Sequence, residues 1–104
     1  MLSLLKRLLG LGPSADFKQL IANGAVVVDV RTPEEYRSGH LSGAINIPLD
    51  RLQGQLATLK KKNAPVITVC RSGARSQAAV EILQKNGIEA YNGGAWTSLR
   101  AKVA

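Results

Sequence analysis

Two β-branched runs, Val26-Val27-Val28-Asp29-Val30 and Val66-Ile67-Thr68-Val69, constrain this chain more than any other feature. Each is apolar at successive positions rather than alternate ones, the pattern of a strand covered on both faces. Such strands need helices above and below them, and the intervening segments read as helices. Ser14 can cap a helix through Leu20 and Ile21 that stops at Asn23-Gly24. Thr32-Pro33-Glu34-Glu35 offers an N-cap, a proline at the first helical position and a capping-box glutamate, with a short helix closing near Ser38-Gly39. Ala44-Ile45-Asn46-Ile47 reads as a short strand, and Asp50 as the cap of a helix through Leu52, Leu56 and Leu59 to Lys60-Lys61-Lys62. Those lysines suit the negative end of the helix dipole. Asn63-Ala64-Pro65 is a turn, Arg75 to Asn86 a helix stopped by Gly87, and Ile88-Glu89-Ala90-Tyr91 another strand. Asn92-Gly93-Gly94 then turns into a last helix containing Trp96 and Leu99. Strands alternating with helices predict an α/β domain with a mainly parallel central sheet between two helix layers. A chain of 104 residues buries about two thirds of its surface, enough for one core and no second domain.

Composition excludes several chemistries. With one cysteine, Cys70, and one histidine, His40, the chain can form no internal disulfide and cannot supply the usual zinc ligands. The net charge of +7 favours anionic partners by long-range attraction. Nucleic acid is disfavoured, because the basic residues are scattered and only four aromatic residues are present to stack on bases. Residues 1–12 read as an amphipathic segment ahead of the domain expected at 13–104. Their leucines fall on one half of a helical wheel, with Ser3, Lys6, Arg7 and Gly10 on the other, which predicts an extra N-terminal amphipathic helix. It is far shorter than the ~20 apolar residues of a membrane span, and Lys6 and Arg7 interrupt the apolar stretch as they would not in a secretory signal. The expected location is cytoplasmic, with packing on the domain, self-association or contact with an anionic membrane surface open to this segment.

Chemistry concentrates at Cys70. In an open α/β sheet, ligands gather at the carboxyl ends of the strands, where the turn into the next helix presents free amides. Cys70-Arg71-Ser72-Gly73-Ala74-Arg75-Ser76 occupies such a turn, after the strand ending at Val69. Amides from Arg71 to Arg75 can curl around one point if the loop is tight, and Gly73 permits the left-handed angle this requires. Amides, helix dipole, Arg71 and Arg75 would together lower the thiol pKa, so that the thiolate needs no histidine or aspartate partner. A polar, basic junction is costly to bury, which predicts an accessible cysteine.

This loop resembles the active-site loop of the rhodanese family, in which a Cys-x-x-Gly-x-Arg segment joins a central strand to a helix. Two further stretches are similar, in family order: Val28-Asp29-Val30-Arg31 with Pro33-Glu34-Glu35-Tyr36 and Gly39-His40-Leu41-Ser42-Gly43-Ala44-Ile45-Asn46-Ile47-Pro48, and later Asn92-Gly93-Gly94 with Trp96. The resemblance runs from about Ser14 to Leu99. It implies a rhodanese-like three-layer sandwich and a sulfurtransferase that moves sulfane sulfur from thiosulfate or a persulfide donor to a thiol or cyanide. Cys70 would be the nucleophile and persulfide carrier; Arg71, Ser72, Gly73, Ala74 and Arg75 would form the substrate cradle; no cofactor or metal is implied. Asp29, Arg31 and His40 read as structural, with Arg31 spaced to pair with Glu35. A non-catalytic binding module tethered by residues 1–12 is the alternative. Related phosphatases and arsenate reductases have one more residue between the cysteine and the arginine, which disfavours that chemistry here.

Overall fold

The first β-branched run is a strand because its side chains find an apolar layer on either side. In the computed structural model, which describes residues 15–104, Val27 joins Phe17, Ile67, Val69 and Leu99 on one face. Val28 and Val30 join Leu52, Leu59, Val66 and Leu83 on the other. Strands β1 (Val26–Asp29), β2 (Ile45–Asn46), β3 (Val66–Cys70) and β4 (Ala90–Ala95) form one parallel sheet in the order β2-β1-β3-β4. Both β-branched runs are therefore central strands, as their continuous apolarity requires. One face is covered by helices α1 (Phe17–Ala22) and α5 (Trp96–Val103). The opposite face is covered by a 3-10 helix (Leu49–Gln55), α3 (Leu56–Lys62) and α4 (Ala74–Lys85). Helix α2 (Pro33–Arg37) follows β1. Leu52, Leu59, Leu83 and Leu99 are fully buried, each contributing about 2 kcal/mol relative to exposure.

Local chemistry sets the element boundaries. At α2, Thr32 Oγ1 accepts from Glu35 N (3.2 Å) and Thr32 N donates to Glu35 Oε1 (3.0 Å), the reciprocal cap expected from the sequence. The cap of α1 is Asp16, whose Oδ1 accepts from Gln19 N at 3.1 Å. The expected cap at Ser14 and the amphipathic segment 1–12 lie outside the described residues. Where Asp50 was expected to open an α-helix, the chain instead makes a 3-10 helix after Pro48 and turns α-helical only at Leu56. Leu52, Leu56 and Leu59 all still reach the core, so burial of the leucines decides this segment more than the cap does.

The expected turn at Asn92-Gly93-Gly94 is strand. Thr68 pairs with Asn92 and Cys70 with Ala95, so three steps along β4 match two along β3, and a bulge absorbs the difference. A side chain at Gly93 would place its Cβ 2.9 Å from Thr68 O and from the side chains of Ile67 and Val69. Glycine is required there because the two strands touch. No helix among the described residues is long and apolar enough to cross a membrane.

Candidate active site

Cys70 is the last residue of β3, and three residues later the chain enters α4 with Gly73 as N-cap. Gly73 takes φ +107°, a left-handed angle that turns the chain back over the strand end. No side chain caps α4 in the usual way. The Cys70 sulfur does so instead, accepting from Gly73 N at 2.9 Å and Ser76 N at 3.4 Å. An anion at this place faces the positive end of a twelve-residue helix.

Burial and hydrogen bonding oppose each other at this sulfur. Burial pushes the thiol pKa up, while hydrogen bonds from the Ser76 hydroxyl and the amides of Ser76, Gly73 and Ser72 pull it down, and the net direction is down. The donors centre on Gly73 and Ser76 rather than running evenly from Arg71 to Arg75. Cys70 is only 1% exposed, which corrects the expectation of an accessible cysteine. The reason is that the polar loop folds over the sulfur with its own side chains outward: Arg71, Ser72 and Ala74 are exposed, while the sulfur packs in the same cluster as Val66 and Ala79.

Ser76 and Asn92 enter the site from outside the expected cradle. Ser76 is fully buried, and its Oγ lies 3.4 Å from Sγ, 2.6 Å from Asn92 Oδ1 and 3.0 Å from Gly73 O. Asn92 Nδ2 donates to Gly73 O and to Gln77 Oε1, both at 3.2 Å, and Gly94 N donates back to Asn92 Oδ1 at 2.8 Å. Asn92 thus joins the loop to β4. Ser76 could have been suspected as a polar residue in the first turn after a glycine cap; Asn92 is sixteen residues further on, and only the sheet register brings it near.

The two arginines differ. Arg71 is exposed on the loop. Arg75 donates from Nη1 and Nη2 to the two oxygens of Glu35, at 2.7 and 3.0 Å. The Arg75 hydrogen bond, assisted by Thr32, holds the Glu35 carboxyl down to about 2, and the same bond raises Arg75, with the charge of Cys70 adding to the effect. The expected Arg31–Glu35 pair does not form. Arg31 instead folds back on buried Asp29, with Nη2 at 2.7 Å from Oδ2, and reaches Gly39 O at 2.7 Å. Asp29 has no exposure to water, so a partner two residues away satisfies its charge better than helical spacing could. His40 is exposed, stacked on Tyr36 at 3.7 Å, with Nδ1 2.8 Å from Tyr36 O.

Comparison with known proteins gives this geometry a context. The sequence profile of the Rhodanese-like domain matches residues 14–97. Thiosulfate sulfurtransferase PspE of Escherichia coli (strain K12) is 44% identical over 61 residues, covering 58% of this chain and 59% of PspE. The match therefore spans about three fifths of that relative's length. Thiosulfate sulfurtransferase GlpE of Ectopseudomonas mendocina (strain ymp) is 37% identical over 76 residues, 72% of this chain and 69% of GlpE. Among solved structures, the rhodanese with anions from E. coli superposes with a TM-score of 0.67 at 38% identity, covering 72% of this chain and 91% of that one.

Proposed function

The chain belongs to the rhodanese-like family, and from that premise we propose that it is a sulfurtransferase in which Cys70 carries sulfur as a persulfide. The observation that carries this reading is the sulfur of Cys70 seated at the start of α4 with amide donors from Gly73 and Ser76. In the first half-reaction the Cys70 thiolate attacks the outer sulfur of thiosulfate. The S–S bond breaks, and sulfite leaves with its electron pair. In the second, a thiol or cyanide attacks the outer sulfur of the persulfide and releases the thiolate.

Each feature of the site has a part in this scheme. The lowered thiol pKa favours the thiolate without a general base. Burial of Cys70 disfavours reaction with bulky electrophiles. Four residues separate Cys70 from Arg75, a small ring that suits a sulfur atom better than a tetrahedral phosphoryl group. Arg71, exposed at the mouth, provides the main cationic contact for the anionic donor; Ser72, Gly73 and Ala74 provide the backbone wall. Arg75 acts through its charge, because its paired donors are committed to Glu35.

Steady-state kinetics test the scheme. With thiosulfate and a thiol or cyanide varied together, a persulfide intermediate gives parallel double-reciprocal lines, and Cys70→Ala abolishes turnover. Intersecting lines, or turnover that survives in Cys70→Ala, would exclude it.

A further inference from the structure

The Ser76 hydroxyl has one proton and three acceptors within reach. Asn92 Oδ1 is the nearest at 2.6 Å, Gly73 O lies at 3.0 Å, and the Cys70 sulfur lies at 3.4 Å. Gly73 O already accepts from Gln77 N at 3.0 Å and from Asn92 Nδ2 at 3.2 Å, so it competes weakly. The contest is between the amide oxygen and the sulfur. In the neutral arrangement, Cys70 S–H donates to Ser76 Oγ and Ser76 O–H donates to Asn92 Oδ1. All three groups are then satisfied in one chain of donors and acceptors.

We propose that Asn92 is a positioning residue for Cys70: its side-chain carbonyl accepts the Ser76 hydrogen bond while the cysteine is a thiol and yields it when the sulfur becomes an anion. This rests on the reading of Cys70 as the sulfur carrier. Once the thiol proton has gone to solvent, Ser76 O–H turns toward the thiolate, and Asn92 Oδ1 keeps Gly94 N as its donor at 2.8 Å. When the persulfide forms, the charge moves to the outer sulfur. Sγ becomes a neutral bridging atom, and the Ser76 hydroxyl turns back to donate to Asn92 Oδ1. The same hydroxyl thus stabilises the attacking thiolate and withdraws from the loaded enzyme, leaving the loop amides to hold the outer charge.

The fold is built to hold Asn92 for this purpose. Register pairs it with Thr68, two residues before Cys70, and the contact of Gly93 with Thr68 O and the Ile67 and Val69 side chains fixes β4 against β3. Thr68 Oγ1 donates to Ser76 O at 2.9 Å, which anchors the serine from below. The charged groups around the site come from three other elements and are already paired: Arg75 of α4 with Glu35 of α2, and Asp29 of β1 with Arg31. Exposed Arg71 adds charge from the loop. None of these contacts Asn92, so they stay constant when Asn92 is changed.

The test is a pH titration of thiolate ultraviolet absorbance on the full chain, with Asn92→Ala, Asn92→Asp and Ser76→Ala separately and in combination. Asn92→Ala frees the hydroxyl for the sulfur and shifts the titration to lower pH. Asn92→Asp keeps the shape, binds the Ser76 proton more tightly and shifts it to higher pH, which also serves if the alanine variant fails to fold. Ser76→Ala shifts it to higher pH and removes the effect of Asn92→Ala; for Asn92→Asp it leaves only the smaller effect of the added charge. An Asn92→Ala shift to higher pH, no shift, or equal Asn92 effects with and without Ser76 would overturn the proposal. Because no sulfur donor takes part, failure here is distinct from failure of sulfur transfer, which persulfide formation by the unaltered protein reports separately.

Discussion

At Cys70, two opposing effects act on one sulfur atom. Burial favours the neutral thiol, while Ser76 and the loop amides favour the anion and prevail. A thiol whose folded pKa is lowered stabilises the fold above the ordinary thiol range, and this contribution is lost as pH falls through the lowered value. In the proposed scheme the donor's own charge falls to Arg71. Arg71→Ala raises the KM for dianionic thiosulfate several-fold while leaving that for an uncharged sulfane donor nearly unchanged, a difference that initial-rate measurements on the two donors read directly. Equal increases would remove Arg71 from anion binding. The cysteine and its glycine turn were legible in the sequence because the chemistry lies within a few consecutive residues. Sulfur burial was not, since the loop's polarity gave no hint that its side chains point outward while its backbone closes over Cys70. Asn92 reads in the sequence as part of a turn and of the Asn92-Gly93-Gly94 segment, and its contact with Ser76 spans sixteen residues.

At the scale of elements, the ion pair between Glu35 and Arg75 fastens α2 to the first turn of α4 across forty residues of sequence. Glu35 serves twice, because it also completes the cap of α2 through Thr32. Its carboxyl is lowered from 4.5 to about 2, so the stability it contributes is present above pH 4.5 and lost as pH falls toward 2. Glu35→Gln is therefore less stable than the unaltered protein at pH 7, and the gap narrows as pH falls through that window. Urea midpoints at neutral and acid pH check this, and a constant gap would contradict it. The helix cap itself was legible from Thr32, Pro33 and Glu35, since caps are local. Arg75 as the partner of Glu35 was not, because helical spacing pointed to Arg31. The same contrast separates the central strands, whose apolar runs announced them, from β4, whose glycines read as a turn, although close approach to β3 is what requires Gly93.

For the molecule as a whole, a parallel sheet buried on both faces leaves the carboxyl ends of its strands as the place where backbone donors can converge. Cys70 stands at that end of β3, and Asn92 joins it from β4. The net charge of +7 favours small anions as partners by long-range attraction. Architecture was the most legible property of the sequence, because the period of apolar residues follows from layers that cover the sheet. The contacts that tune the sulfur depend on register and were the least. The central claim is that Cys70 itself accepts sulfur, and intact-mass spectrometry after incubation with thiosulfate tests it most directly. The unaltered chain should gain the mass of one sulfur atom, lose it on treatment with a thiol or cyanide, and show no gain when Cys70 is replaced by alanine; an unchanged mass in the first case, or an added sulfur in the last, would contradict the account.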